Sequence, residues 1–228
     1  VDQLLRATWL ASTDGDAQEQ RIVQLLRDRS SVGESAGYRL NDGGRDMQAL
    51  AARLARLEID SDLKPTWLVL TELTDLQAAM EVERDLRSAE EELAPDVAVV
   101  SRALYRQISG RPGPLAETTT GFGPAIQFGT FSMQSPQDEW DLADWYETHR
   151  LTEFTRVSGA IRVRRYVSVA GPAKFAVLYE FDSLQSRLDH FERPMESHAL
   201  SGDHPTGRIV SRTIHAPMSP SIGQIVNA

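Results

Sequence analysis

Apolar residues along this chain recur with two periods, and the alternation between the periods itself repeats. From Ile161 to Val169 apolar and polar positions alternate at period two, the pattern of a strand with one buried face. A Gly171-Pro172 turn separates it from an apolar run, Phe175 to Phe181, so the two are expected to pair antiparallel. Before them, Pro136 to Thr155 reads as a helix. Pro136 suits its first turn, Asp138, Glu139 and Asp141 suit the positive end of its dipole, and Ser158-Gly159 breaks it. After them, Ser183 to Phe191 reads as a second helix, capped by Asp182 or Ser183. A loop rich in Ser, Gly, Asp and Pro then leads to a last strand near Arg208–Ile214. With a short apolar strand ahead of Pro136, the order is βαββαβ.

The first half of the chain echoes this order. Trp67-Leu-Val-Leu-Thr-Glu-Leu73 matches Phe175-Ala-Val-Leu-Tyr-Glu-Phe181 at an offset of 108, and Val99 to Tyr105 matches Ile209 to His215 at 110. Upstream, Gly37 to Leu40 corresponds to Arg165 to Ser168 at 128, and Leu5 to Leu10 corresponds to Gln127 to Ser132 at 122. The drop from 128 to 108 requires twenty extra residues in the first copy. Gly43-Gly44 opens them. Met47, Leu50, Leu54 and Leu57 follow helical spacing, which predicts an amphipathic helix inserted at about 43–63. The stretch 109–124 is rich in Gly, Pro and Thr without periodicity and reads as a linker. The expected fold class is α+β: tandem ferredoxin-like βαββαβ repeats, 1–108 and 125–228, the second with a C-terminal tail, packed as a pseudo-dimer. A ligand cavity is expected between sheet and helices or within the barrel.

Composition narrows the function without choosing it. Of 228 residues, 41% are hydrophobic and 25% charged, enough for a substantial core. A formal net charge of -9, with Lys and Arg scattered, argues against nucleic acid as a partner. The lack of cysteine removes disulfides, thiolate ligands and a cysteine nucleophile, and fits a reducing, cytoplasmic setting. No stretch of eighteen apolar residues occurs, and Val1-Asp2-Gln3-Leu4 does not resemble a signal peptide, so no membrane partner is expected. Phosphate-cradling glycine loops and the nucleophile elbow are absent, and His190, His198 and His204 lack metal-ligand spacing. No cofactor and no metal are expected.

The run Asp144-Trp145-Tyr146-Glu147-Thr148-His149-Arg150, followed by Val157-Ser158-Gly159 and Arg164-Arg165-Tyr166, resembles the EthD-like branch of the dimeric α/β-barrel superfamily. That family carries Trp-Tyr-x-x-Glu-His on its first helix, then a Gly and an arginine-rich strand ending in Tyr. The resemblance covers about residues 125–215 directly and 4–108 through the repeat, and two fused copies with a degenerate first one are similar to a fungal group. In this frame the family's Glu falls on His149 and its His on Arg150. In the first copy the corresponding stretch, Ala17 to Ile22, has no trace of the motif. The resemblance implies a cofactor-independent enzyme of lyase, cyclase or isomerase type, acting on a small hydrophobic polyketide- or aromatic-like molecule in secondary metabolism. The alternative is a non-catalytic small-molecule-binding or stress-response protein of the same fold. The fused pair is also open to homodimerisation.

On a regular helix Leu142, Trp145, Tyr146, His149 and Glu153 share one stripe. His149 beside aromatic residues could then be the acid/base, since a partly desolvated imidazole titrates near neutral pH. A histidine bonded to Glu153 at the core edge is the competing reading. Arg150, or a tyrosine such as Tyr146, would stabilise an enolate or carboxylate, while a salt bridge to Glu147 explains Arg150 equally well. Trp145, Tyr166, Tyr179 and His215 are the candidate substrate contacts, with core packing the alternative for the tyrosines.

Overall fold

The structure, a computed structural model, describes residues 3–12, 21–25, 28, 33–58, 63–93 and 96–226. The first half contributes β1 (Leu4–Ser12), a helical stretch α1 (21–25), β2 (Ser35–Asn41), α2 (Arg45–Ala51), β3 (Ala55–Arg56), β4 (Trp67–Leu73), α3 (Leu76–Glu92) and β5 (Val97–Pro112). The second contributes β6 (Ala125–Met133), α4 (Pro136–Trp145), α5 (Leu151–Phe154), β7 (Ala160–Ala170) and β8 (Phe175–Phe181). It continues with α6 (Leu184–Arg187), α7 (Arg193–Met195), α8 (Pro205–Val210), β9 (Thr213–His215) and β10 (Ser221–Val226).

Eight strands hydrogen-bond in the order β10-β2-β4-β1-β5-β7-β8-β6, and β6 returns to β10, so the barrel closes. Each half has the same internal order, with its third strand between its first and second. The halves meet along β5–β7 and β2–β10, pairs in which Gln107 faces Tyr166 and Leu40 faces Gly223. Trp67–Leu73 and Phe175–Phe181 occupy equivalent strands, since β4 and β8 are each the third barrel strand of their half, β3 lying outside the ring. The 128-residue echo also holds: Tyr38 pairs with Leu68 as Tyr166 pairs with Ala176.

The last-strand echo does not hold. Ile209 and Val210 lie in α8, whose start is set by Pro205 in the first turn and by the His204 ring, which accepts from the Thr206 N–H at 3.2 Å. Only Thr213–His215 is strand, and the barrel's closing strand is β10, in the segment expected to be a tail. The first-strand echo is off by one residue. Leu5 faces Glu72 and Ile126 faces Glu180, which makes Ile126, not Gln127, the counterpart of Leu5. The stretch expected as a linker begins as strand, because β5 runs on to Pro112 against β7. The inserted helix is shorter than its spacing predicts and is followed by β3, which pairs with β9. The motif-poor stretch of the first copy falls mostly outside the described residues.

Period-two alternation gives the barrel two apolar layers. Inward side chains, among them Leu5, Trp9, Tyr38, Leu70, Tyr105, Phe128, Tyr166 and Leu178, fill the interior. Trp9 stacks on Phe128 at 5.8 Å, and Tyr105 meets the same ring edge-on at 5.9 Å. Outward side chains of β6, β7 and β8 meet the second half's helices in a separate cluster with Leu142, Phe154, Phe181 and Phe191. Gly159, at φ +78°, ends the helix before β7; a Cβ there would lie 2.4 Å from the Ser186 Cβ. Among the described residues no helix is long and apolar enough to cross a membrane.

Candidate functional site

The site lies outside the barrel, between β6 and β8 of the second half and the helices that cover them. Alternation along β6 turns Gln127, Gly129 and Phe131 to this side, and along β8 it does the same for Val177 and Tyr179. The opposite wall comes from α4, where the Ser135 hydroxyl accepts from the Asp138 N–H at 3.2 Å and Pro136 occupies the first turn.

At Tyr146 the helix changes character. Residues Tyr146–Arg150 form a π turn, in which the Leu151 N–H reaches back to the Tyr146 carbonyl. A π turn adds one residue to the helical repeat, so every later position moves one place round the axis. The inward stripe is Leu142, Trp145, Tyr146, Arg150 and Phe154, and His149 is exposed on the surface. There it contributes to the field around His204, whose ring stacks on His198 at 4.1 Å. His149 therefore does not face the pocket, and Arg150 occupies the place expected for it.

Arg150 is 3% exposed and is the electrostatic centre of the pocket. Its Nη2 ion-pairs with Glu196, itself buried, and its Nε donates to the Tyr179 hydroxyl at 3.1 Å. The guanidinium lies 4.6 Å from the Phe191 ring centroid, 5.3 Å from Tyr179 and 5.7 Å from Trp145. Its Nη1 is buried with no hydrogen-bond partner among the described residues. An unmatched charged donor in an apolar wall costs a desolvation penalty that a ligand oxygen would recover. Burial, with Tyr179 adding to it, raises the Tyr146 phenol well above its ordinary pKa, so Tyr146 is a donor at neutral pH. Glu147 pairs with Arg111 and Arg165 instead of Arg150.

His215 enters from β9 and packs at 5.4 Å on Phe131. Burial, reinforced by the Arg56 charge, pushes its pKa down to about 3. Its Nδ1 is 2.8 Å from the Ser219 hydroxyl, which accepts the Thr130 N–H at 2.8 Å. A hydroxyl so engaged donates to Nδ1 and leaves the ring proton on Nε2. Trp145, Tyr146, Arg150, Tyr179 and His215 thus come together round one cavity of about 60 Å³. Tyr166 does not. It faces the barrel interior, one strand and one face away from Tyr179, with its hydroxyl unpartnered. Trp140 is 74% exposed and takes no part. Among the described residues no group of three His, Asp or Glu side chains could hold a metal.

Sequence reasoning missed Glu196, Gln127, Met47 and Leu50, all of which line the cavity. Met47 and Leu50 belong to the inserted helix α2, so the first half supplies part of the wall. A buried clasp holds that helix in place. Gln127 accepts from Arg187 at 2.6 Å, Arg187 pairs with Glu192 at 2.6 Å, and Glu192 accepts the Gly44 and Met47 N–H groups at 3.0 Å each. Burial alone would push the Glu192 carboxyl up; the bonds from Met47, Arg187 and Gly44 outweigh it and hold the pKa below the ordinary carboxylate range. Among the described residues the equivalent position in the first half is occupied by charged side chains. Arg6, the counterpart of Gln127, pairs there with Glu83 and Glu90, and the cavity is only about 10 Å³.

No protein-family model matches the sequence, and no curated protein matches it. Solved structures do match along the whole chain. A proposed monooxygenase from Fusobacterium nucleatum aligns over 100% of this chain and 93% of its own, with a TM-score of 0.61 at 11% identity. A proposed chlorite dismutase covers 100% and 96% with a TM-score of 0.58 at 10% identity. An anthrone oxidase-like protein covers 99% and 92% with a TM-score of 0.55 at 12% identity. The fold is of the dimeric α/β-barrel type. At these identities the likeness concerns architecture alone, and within it this chain supplies both halves of the barrel.

Proposed function

We propose that this chain is a cofactor-independent enzyme that moves a proton on a small hydrophobic substrate, polyketide- or aromatic-like, in a lyase, cyclase or isomerase reaction of secondary metabolism. The observation that carries this reading is a buried Arg150 in the wall of a largely apolar cavity, ion-paired with the Glu196 carboxylate and with its Nη1 unpartnered among the described residues. A substrate carbonyl oxygen accepts from Nη1. Glu196 then takes a proton from the adjacent carbon, the C–H electron pair moves onto the oxygen, and the resulting enolate rests against the guanidinium. Glu196 returns that proton at another atom, which isomerises or cyclises the substrate, or protonates a leaving group so that it departs, while the Tyr146 phenol, kept protonated by burial, serves as a hydrogen-bond donor. Trp145, Phe131 and Val177 supply the apolar surface that excludes water.

The test is proton exchange at carbon. Wild-type protein should accelerate deuterium uptake next to the carbonyl of 1-tetralone, followed by NMR. Glu196→Gln should lower that rate by a factor on the order of 10² to 10⁴, and Arg150→Met by about 10² to 10³. Wild-type exchange no faster than buffer, with 2-naphthoate still bound at Arg150, would turn the assignment to the non-catalytic binding protein.

A further inference from the structure

The pocket as it stands is too small for the substrates just proposed: about 60 Å³, against roughly 300–1,000 Å³ for ordinary small-molecule sites. Beside it lies an open cleft of about 500 Å³, floored by residues 217–221 and walled by α2, the end of β2 and residues 64–66 ahead of β4. The two cavities share two lining residues, Met47 and Pro220. Resting on the reading of the pocket given above, we propose that this cleft is the entrance, that Met47 is the gate between them, and that the ligands admitted are small aromatic anions.

Three observations converge on this. Met47 is 1% exposed yet borders both spaces, so its side chain is the partition, and an unbranched thioether can swing aside without disturbing the backbone. Its main chain is fixed independently by the Glu192 carboxylate, which leaves only the side chain to move. The cleft also departs in sign from a chain whose net charge is -9. Arg56 donates to the carbonyls of Ala216, Pro217 and Ser219 and so keeps its full positive charge, while Lys64 and Asp42 pair at 2.7 Å and cancel. Among the described residues lining the entrance Arg56 is thus a cation without a carboxylate partner, and with Arg150, whose Nη1 also lacks a partner among them, in the wall of the inner cavity, it makes a route suited to a carboxylate or phenolate.

Stopped-flow tryptophan fluorescence with 2-naphthoate and the bulkier 9-anthroate tests the route. Met47→Ala should raise both association and dissociation rates of 2-naphthoate about tenfold while its affinity changes less than about threefold, and should admit 9-anthroate much faster than wild type does. Lys64→Glu, at an exposed position that does not threaten folding, should slow 2-naphthoate association about two- to fivefold at low salt. That difference should vanish at high salt, with dissociation unchanged. Unchanged rates in a folded Met47→Ala protein, or an unchanged low-salt association rate in Lys64→Glu, would overturn the entrance. If Arg150→Met still abolished binding in that case, the pocket itself would stand. A wild-type protein that bound neither probe would overturn both.

Discussion

Replacing Glu192 by Gln is the sharpest test of how the inserted helix is held. Glu192 is 0% exposed and Arg187 is 1% exposed, so their pairing takes place without water. The carboxylate accepts three hydrogen bonds, one from Arg187 and two from the Gly44 and Met47 N–H groups at the start of α2. An amide keeps one good acceptor oxygen but turns an NH₂ donor toward either Arg187 or the helix amides. Leaving a buried charge half-paired costs about 3–5 kcal/mol, and in a chain of this size each kcal/mol lowers Tm by roughly 2–4 °C. The expected fall is therefore on the order of 10 °C, with a matching shift of the urea midpoint and an unchanged m-value. Faster amide exchange at Gly44 and Met47 should accompany it, since those are the donors released. The same linkage gives a pH signature: a carboxyl whose folded pKa is depressed stabilises the fold above about 4.3, its unfolded value, and that part is lost as pH falls toward the folded pKa. The Gln variant should lack it. A loss under about 1 kcal/mol, or loss without faster exchange in α2, would refute the idea that Glu192 ties the helix down.

Two further outcomes follow from positions already described. His215 stays neutral down to about 3, so its contribution to stability is complete above about 6.5 and declines as pH falls from there toward 3, by up to about 1.4 kcal/mol per unit. His215→Gln should flatten that slope in urea titrations near pH 7, 6 and 5; equal slopes in both proteins would contradict the buried neutral ring. His149→Ala should leave stability within about 0.5 kcal/mol and 2-naphthoate affinity unchanged, because the side chain is exposed and lies off the pocket. A large loss of affinity in that variant would place the pocket wrongly.

Strand identity was the most legible part of the sequence, because period-two alternation and matched aromatic, apolar and Glu positions report directly on pairing. Trp67–Leu73 and Phe175–Phe181 are equivalent strands for that reason. The end of the chain was misread because Ile209-Val210 is apolar enough for strand or helix. The Pro205 start and its His204 cap decide for helix, while the closing strand is a short run with Gly223 in it. Trp145, Tyr146, Arg150, Tyr179 and His215 could be picked out as residue types near one helix and its facing strands. Which of His149 and Arg150 points inward could not, since a wheel drawn at 3.6 residues per turn assumes no π turn. Glu196 was invisible for a different reason: it meets Arg150 across 46 positions of chain, and nothing local marks it. Met47 and Leu50 read correctly as the apolar face of a helix, but their spacing carries no information about which half they cover.

Closure of the barrel within one chain has a consequence for how such a protein can change. In a barrel assembled from two identical subunits every substitution appears twice, so a residue that improves one cavity must be tolerated in the other. Here Arg6 and Gln127 occupy equivalent strand positions and differ, as do Thr71 and Tyr179. One side spends its space on ion pairs that brace the sheet, the other keeps a hollow, and neither choice constrains its counterpart. Freed from symmetry, one half lends a helix to wall the cavity of the other, an arrangement that two-fold repetition would have to build twice.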